Sequence, residues 1–276
     1  MARPKKTFEQ YILQEDAHSR KYVNQESYLK SPATAFLKYT VEAKDAINMC
    51  INHFPKKNNE NCYTQASEDS LRYLVVALLP AIMGHFETYE KMLFAGMYEN
   101  SVYLKNFDVR KFHKKLSDAA EKTLTIDLDG ISPYREVNDF SVGMMLADNL
   151  KNWSSPEHVC EYFRCFVNYE LFSQVHKQQL RILWQLRHSI VHNGGTITRA
   201  DSQKVGALNS FPNKTIILDK NFIYEVSRKM HEIVKESTVG IGKKYIEQMR
   251  SDIDETKRKK VETFFEVKSS VSAWMR

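Results

Sequence analysis

Hydrophobic positions recur along most of this chain at helical spacing. From Leu71 they continue at Val75, Leu78, Ile82, Phe86, Tyr89 and Leu93, which is one side of a helix turning about 100° per residue. Ser67-Glu68-Asp69 supplies a start signal for it, since short polar side chains accept from first-turn amides and acids suit the positive end. Pro80 lies inside the run and is expected to kink or interrupt the helix, because its nitrogen carries no hydrogen.

Similar patterns predict the other elements. Ser31-Pro32 reads as cap and first position of a helix to about His53, followed by a polar loop. Shorter helices are expected over about Val109 to Lys122 and Phe140 to Leu150, with a loop at Thr125 to Val137 between them. Ser155-Pro156-Glu157 starts a helix expected to reach about Phe172. The next runs from about Ser173 to His192 and stops at Gly194-Gly195. Gly194 to Thr198 and Lys214 to Leu218 have the make-up of a small β-ribbon, after which a helix is expected from Asp219 to about Ser237. The chain thus reads as all-α: a helical domain at 63–240, an N-terminal helical extension at 1–62, and a charged helical tail at 241–276.

Composition narrows the class. Nine Gly and seven Pro in 276 residues argue against a turn-rich β protein. Cys50, Cys62, Cys160 and Cys165 form no CxxC pair, so reduced thiols are expected. No apolar segment follows the basic start, and the longest apolar run, Leu74 to Met83, is about half a membrane span. We therefore expect a soluble, cytoplasmic protein with no membrane partner. The net charge is +6, and the stretch from Leu171 to Leu218 alone carries six cations (Lys177, Arg181, Arg187, Arg199, Lys204 and Lys214) against one acid, Asp201. That local field suits a phosphate-rich partner, although a solvated helix surface has the same signature.

The most informative helix is Leu180 to Asn193. Leu183, Trp184, Leu186, Ile190 and Val191 form a broad apolar side, opposite Arg181, Gln185, His188, Ser189 and His192. Arg187 falls in the middle of the apolar side. A guanidinium keeps its charge, so Arg187 must reach a carboxylate, a carbonyl cluster, a cleft or an interface. Arg187 and His192 diverge by about 140° on an ideal helix. They can act together if the helix breaks near its glycine end, or if two copies face each other across a twofold axis. His188 and His192, at i and i+4, offer half of a metal site, but no third ligand stands nearby in sequence, so no metal or other cofactor is expected.

The segment Arg187-His188-Ser189-Ile190-Val191-His192-Asn193 resembles the Arg-x4-His signature of HEPN-domain proteins. Gly194-Gly195, the Thr198-Arg199-Ala200-Asp201 stretch and the expected ribbon are similar to HEPN branches of bacterial defence and toxin systems. His85-Phe86-Glu87-Thr88-Tyr89-Glu90 is similar to an early helix of that fold, so the resemblance spans roughly residues 68–236. It implies a helical bundle, a homodimer with the motif at its cleft, and metal-independent RNA cleavage in catalytic branches. Other branches are non-catalytic binding or assembly modules. Arg187 and His192 would be the catalytic pair, and His188 would fill the polar position. An antitoxin or regulatory protein is a further implied partner.

The residue types suit that chemistry. A ribose 2′-hydroxyl can attack its own phosphate if a base takes its proton and an acid protonates the leaving oxygen, and histidine titrates in the right range for both. Arginine can hold the phosphate and offset its growing charge. Lys177, Arg181 and Arg199 are expected at the RNA backbone. Glu87 or Glu90 is expected to pair with Arg187 across the bundle, and Asn193 to support the motif.

Overall fold

The computed structural model describes residues 7–8, 23–57, 62–124 and 141–269. The expected loop at Thr125 to Val137 lies outside the described residues. Those residues hold ten α-helices and one two-stranded ribbon, an all-α architecture. No described helix is long and apolar enough to cross a membrane.

Helix α1 covers Gln25–Lys30 and α2 covers Pro32–His53. The axis of the fold is α3, Gln65–Asn100, 36 residues long. Its cap is Thr64, whose hydroxyl accepts from the Ser67 amide at 3.3 Å, so the helix starts two residues before the expected signal. Pro80 does not interrupt it. The proline costs one backbone hydrogen bond, while Val75, Leu79, Ile82, Met83 and Phe86 keep the stripe on both sides of it in the core. Helices α2, α5 (Ser141–Asn149) and α7 (Gln174–His192) pack around α3. The Phe36 ring of α2 meets Phe86 edge-on at 5.5 Å. The buried Tyr89 hydroxyl reaches Ser237 at 3.1 Å and Thr238 at 2.8 Å on α9, Phe222–Glu247.

Three elements differ from the sequence expectation. The helix begun at Ser155, α6, covers Pro156–Arg164 and ends well before Phe172. Phe166, Val167, Leu171 and Phe172 are all buried. On a continuing helix they would fan over about 240°, so unwinding lets all four enter the core. Helix α9 runs ten residues past Ser237, because Ile241 and Tyr245 prolong its buried stripe. Gly242 permits that packing: a β-carbon there would lie 2.7 Å from Phe265 Cβ. The helix therefore crosses the expected boundary at 240. At the other end, Phe36 and Leu37 of the expected extension belong to the same buried cluster as α3 and α9. The start of α2 is tied to the segment after α10 (Glu255–Phe264) through Ser31 and Thr34, which both donate to the Glu266 carbonyl.

The remaining elements are α4 (Val109–Ala119), α8 (Arg199–Lys204) and the ribbon. The ribbon joins β1 (Thr196–Ile197) to β2 (Lys214–Thr215), antiparallel, with Thr196 opposite Thr215. It follows α7 directly and folds the chain back along the end of that helix.

Candidate functional site

The site is built on the C-terminal half of α7. Ser173 caps the helix, and Gly194 and Gly195 end it with φ of 58° and 76°, a left-handed turn that glycine enters without β-carbon strain. The helix is unbroken through His192. The angular divergence of Arg187 and His192 therefore persists within one chain, and no hydrogen bond joins them.

The buried face of α7 is wider than periodicity suggested. Gln185 and Ser189, expected outside, are buried, and Val191, expected inside, is 48% exposed. The cause is α8, which the ribbon brings back over the polar side. Its Asp201 accepts from the Asn193 side chain at 2.6 Å and from Ser189 at 3.3 Å, while Gln185 donates to Ser189 at 3.4 Å. Lys204 pairs with the other Asp201 oxygen at 3.0 Å. Burial alone would raise the Asp201 pKa, but hydrogen bonds with Lys204 and Thr198 and the charges of Lys204 and His188 hold it at about 2. Asn193 thus braces the end of α7 on a carboxylate that stays ionised at neutral pH.

Arg187 is half-buried, and its Nε is sealed from solvent without a hydrogen-bond partner. It has no ion-pair partner among the described residues. Neither expected glutamate serves it. Glu87 pairs with Lys91 at 2.9 Å, and Glu90 is buried with both oxygens unbonded. Glu90 has a pKa raised well above the ordinary carboxylate value, by burial first and the Glu87 charge second. Arg187 lines a cleft of about 440 Å³ between α6, α7 and the end of α8, together with Ser155, Glu157, Arg181, Trp184, His188 and Lys204. The Trp184 Nε1 is a second buried donor in this cleft with no acceptor. No family model matches this chain, and neither a curated protein nor a solved structure matches it.

The other expected residues divide. His188 lines the cleft and its ring lies 4.9 Å from that of His192, which is exposed. Among the described residues no third ligand joins these two histidines. Arg181 lines the cleft but is paired with Glu157, and Arg199 is exposed on the first turn of α8. Lys177 departs from expectation: it is 7% exposed and paired with Glu170, so it is a packing cation and not a free surface contact.

Sequence reasoning missed Trp184 as a cleft donor, and Asp201 and Lys204 as the brace. For Asp201 a signal was present: it is the lone acid of the basic stretch, three residues after Thr198, the spacing of a helix cap. Chemically, the cleft combines an unneutralised guanidinium, an unpaired indole N–H and an imidazole. These are donor groups of the kind that suit an acceptor-rich anion.

Proposed function

We propose that this chain is a cytoplasmic, metal-independent endoribonuclease of the HEPN type, acting as a homodimer within a toxin or phage-defence system under an antitoxin or other regulatory protein. The observation that carries the reading is Arg187: a half-buried guanidinium with no ion-pair partner among the described residues, lining a cleft beside His188. A half-buried guanidinium without a counter-ion is costly unless a ligand supplies one. Phosphate fits, because it presents several strong acceptors to a planar guanidinium.

In the proposed reaction Arg187 holds the scissile phosphate. One imidazole takes the proton of the 2′-hydroxyl, whose oxygen attacks the adjacent phosphorus. The bond to the 5′-oxygen breaks, and that oxygen receives a proton from the second acid. His192 is the principal acid/base and His188 its companion. The products are a 2′,3′-cyclic phosphate and a 5′-hydroxyl. Arg181 and Arg199 border the path of the RNA backbone. Because His192 diverges from Arg187 along α7, the proposal places two copies of the motif face to face, each supplying groups the other lacks.

That same divergence favours a second reading, a non-catalytic HEPN module that binds RNA or nucleotide or serves assembly. Purified protein incubated with cellular RNA in EDTA separates the two, beside Arg187→Ala and His192→Ala. The nuclease reading expects cutting by the wild type that is lost in both variants. A dimer that binds but never cuts supports the module, and equal cutting by all three samples rejects the assigned residues.

A further inference from the structure

We propose a second, separate site: a divalent transition-metal site formed by His176 near the start of α7 and Glu232 and Glu236 on α9. One ligand atom from each lies within 4.8 Å of the other two. The two glutamates are one helical turn apart and therefore share a face of α9. The His176 side chain is 7% exposed, and its Nε2 stands 3.6 Å from a Glu236 oxygen, too long for a hydrogen bond. No hydrogen bond to any described residue engages that ring.

Apart from the His176–Glu236 contact, which is an ion pair when the ring is protonated, the arrangement lacks an internal explanation among the described residues. Like charges at i and i+4 repel, and neither glutamate has a lysine or arginine within ion-pair distance among the described residues. A nearly buried imidazole without a hydrogen bond faces them across the helix interface. A divalent ion resolves both features, neutralising the carboxylates and using the imidazole lone pair. The spacing suits it: ligands about 2.1 Å from a tetrahedral zinc lie about 3.4 Å apart. The His–Glu edge already meets that, and the exposed glutamates can close the remaining edges by rotating. One nitrogen and two carboxylate donors suit zinc and its first-row neighbours better than calcium or magnesium, which prefer all-oxygen shells.

The site is distinct from the cleft. His176 and Arg187 are eleven residues apart on α7, about 16 Å along its axis. Its role is to pin α7 to α9 and steady the helix that carries the motif.

The test is calorimetric titration of zinc into EDTA-stripped, dialysed full-length protein, beside Glu232→Gln/Glu236→Gln and His188→Ala/His192→Ala. The first double variant alters exposed side chains and leaves buried His176 in place, so folding is preserved. One zinc per chain is expected for the wild type and for the His188/His192 variant, with at least tenfold weaker binding when the glutamates are replaced. Zinc is also expected to raise the thermal midpoint of the wild type but not of the glutamate variant. The proposal is overturned if the wild type takes up no zinc. It is equally overturned if uptake survives loss of both glutamates, or disappears with His188 and His192.

Discussion

The two halves of α7 each draw a cation out of solvent, and they treat it differently. In the first half Lys177 is 7% exposed, and Glu170 answers it while also holding Arg164. In the second half Arg187 has a sealed Nε and no carboxylate partner among the described residues, although Glu157 and Asp201 serve Arg181 and Lys204 in the same cleft. A cation with a counter-ion from its own chain is part of the packing. A cation left without one, in a cleft, is shaped for something that arrives. This contrast weighs more in favour of Arg187 than its position in a short motif does.

The contrast can be broken by substitution, and the largest effect belongs to Arg187. Arg187→Ala is expected to reduce RNA cleavage by roughly 10²–10³-fold, the scale for removing a donor to a developing anion. Its urea midpoint should stay near wild type or rise, since an unsatisfied buried donor is removed with the side chain. A large loss of stability would mean that Arg187 is structural after all. Asp201→Ala comes next. It strands Lys204, Asn193 and Ser189 and should cost about 2–3 kcal/mol in urea denaturation. Activity should fall as well, because the end of α7 loses its brace.

Lys177→Met should cost less, about 1–2 kcal/mol, because Glu170 is partly solvated and keeps Arg164 as partner. Cleavage by the folded variant should be unchanged, which distinguishes a packing cation from a substrate contact. The smallest effect is in pH dependence. The Asp201 pKa is held at about 2 in the folded chain against an ordinary 3.8. Its contribution is therefore fully present above the ordinary value and lost as pH falls through about 2. The stability gap between wild type and Asp201→Asn should hold steady from pH 7 to 5 and narrow below pH 4. A gap that widens on acidification would contradict the assigned partners.

Much of the scaffold was legible because its signals are local. Ser173 and Gly194-Gly195 mark both ends of α7, and the apolar spacing from Leu71 to Leu93 marks α3. What could not be read depends on neighbours distant in sequence. Gln185 and Ser189 look external on a helical wheel, and only the return of α8 buries them. Lys177 looks like a free surface charge until the chain after α6 unwinds and delivers Glu170. Helix α9 continues past the expected end at Ser237, where Gly242 admits Phe265 from a segment more than twenty residues on. The candidate site divides the same way. Arg187, His188 and His192 were singled out by the resemblance to the Arg-x4-His signature, while the lack of a counter-ion for Arg187 among the described residues is visible only in three dimensions.

Whether the Arg187 guanidinium and the imidazoles form a centre for attack by a ribose hydroxyl is decided by end-group analysis. A defined RNA and its all-2′-deoxy counterpart would be incubated with wild type and Arg187→Ala in EDTA. The RNA should yield 5′-hydroxyl and 2′,3′-cyclic phosphate ends with wild type alone, and the deoxy strand should stay intact. Cleavage of the deoxy strand, 5′-phosphate ends, or undiminished cutting by Arg187→Ala would contradict such a centre.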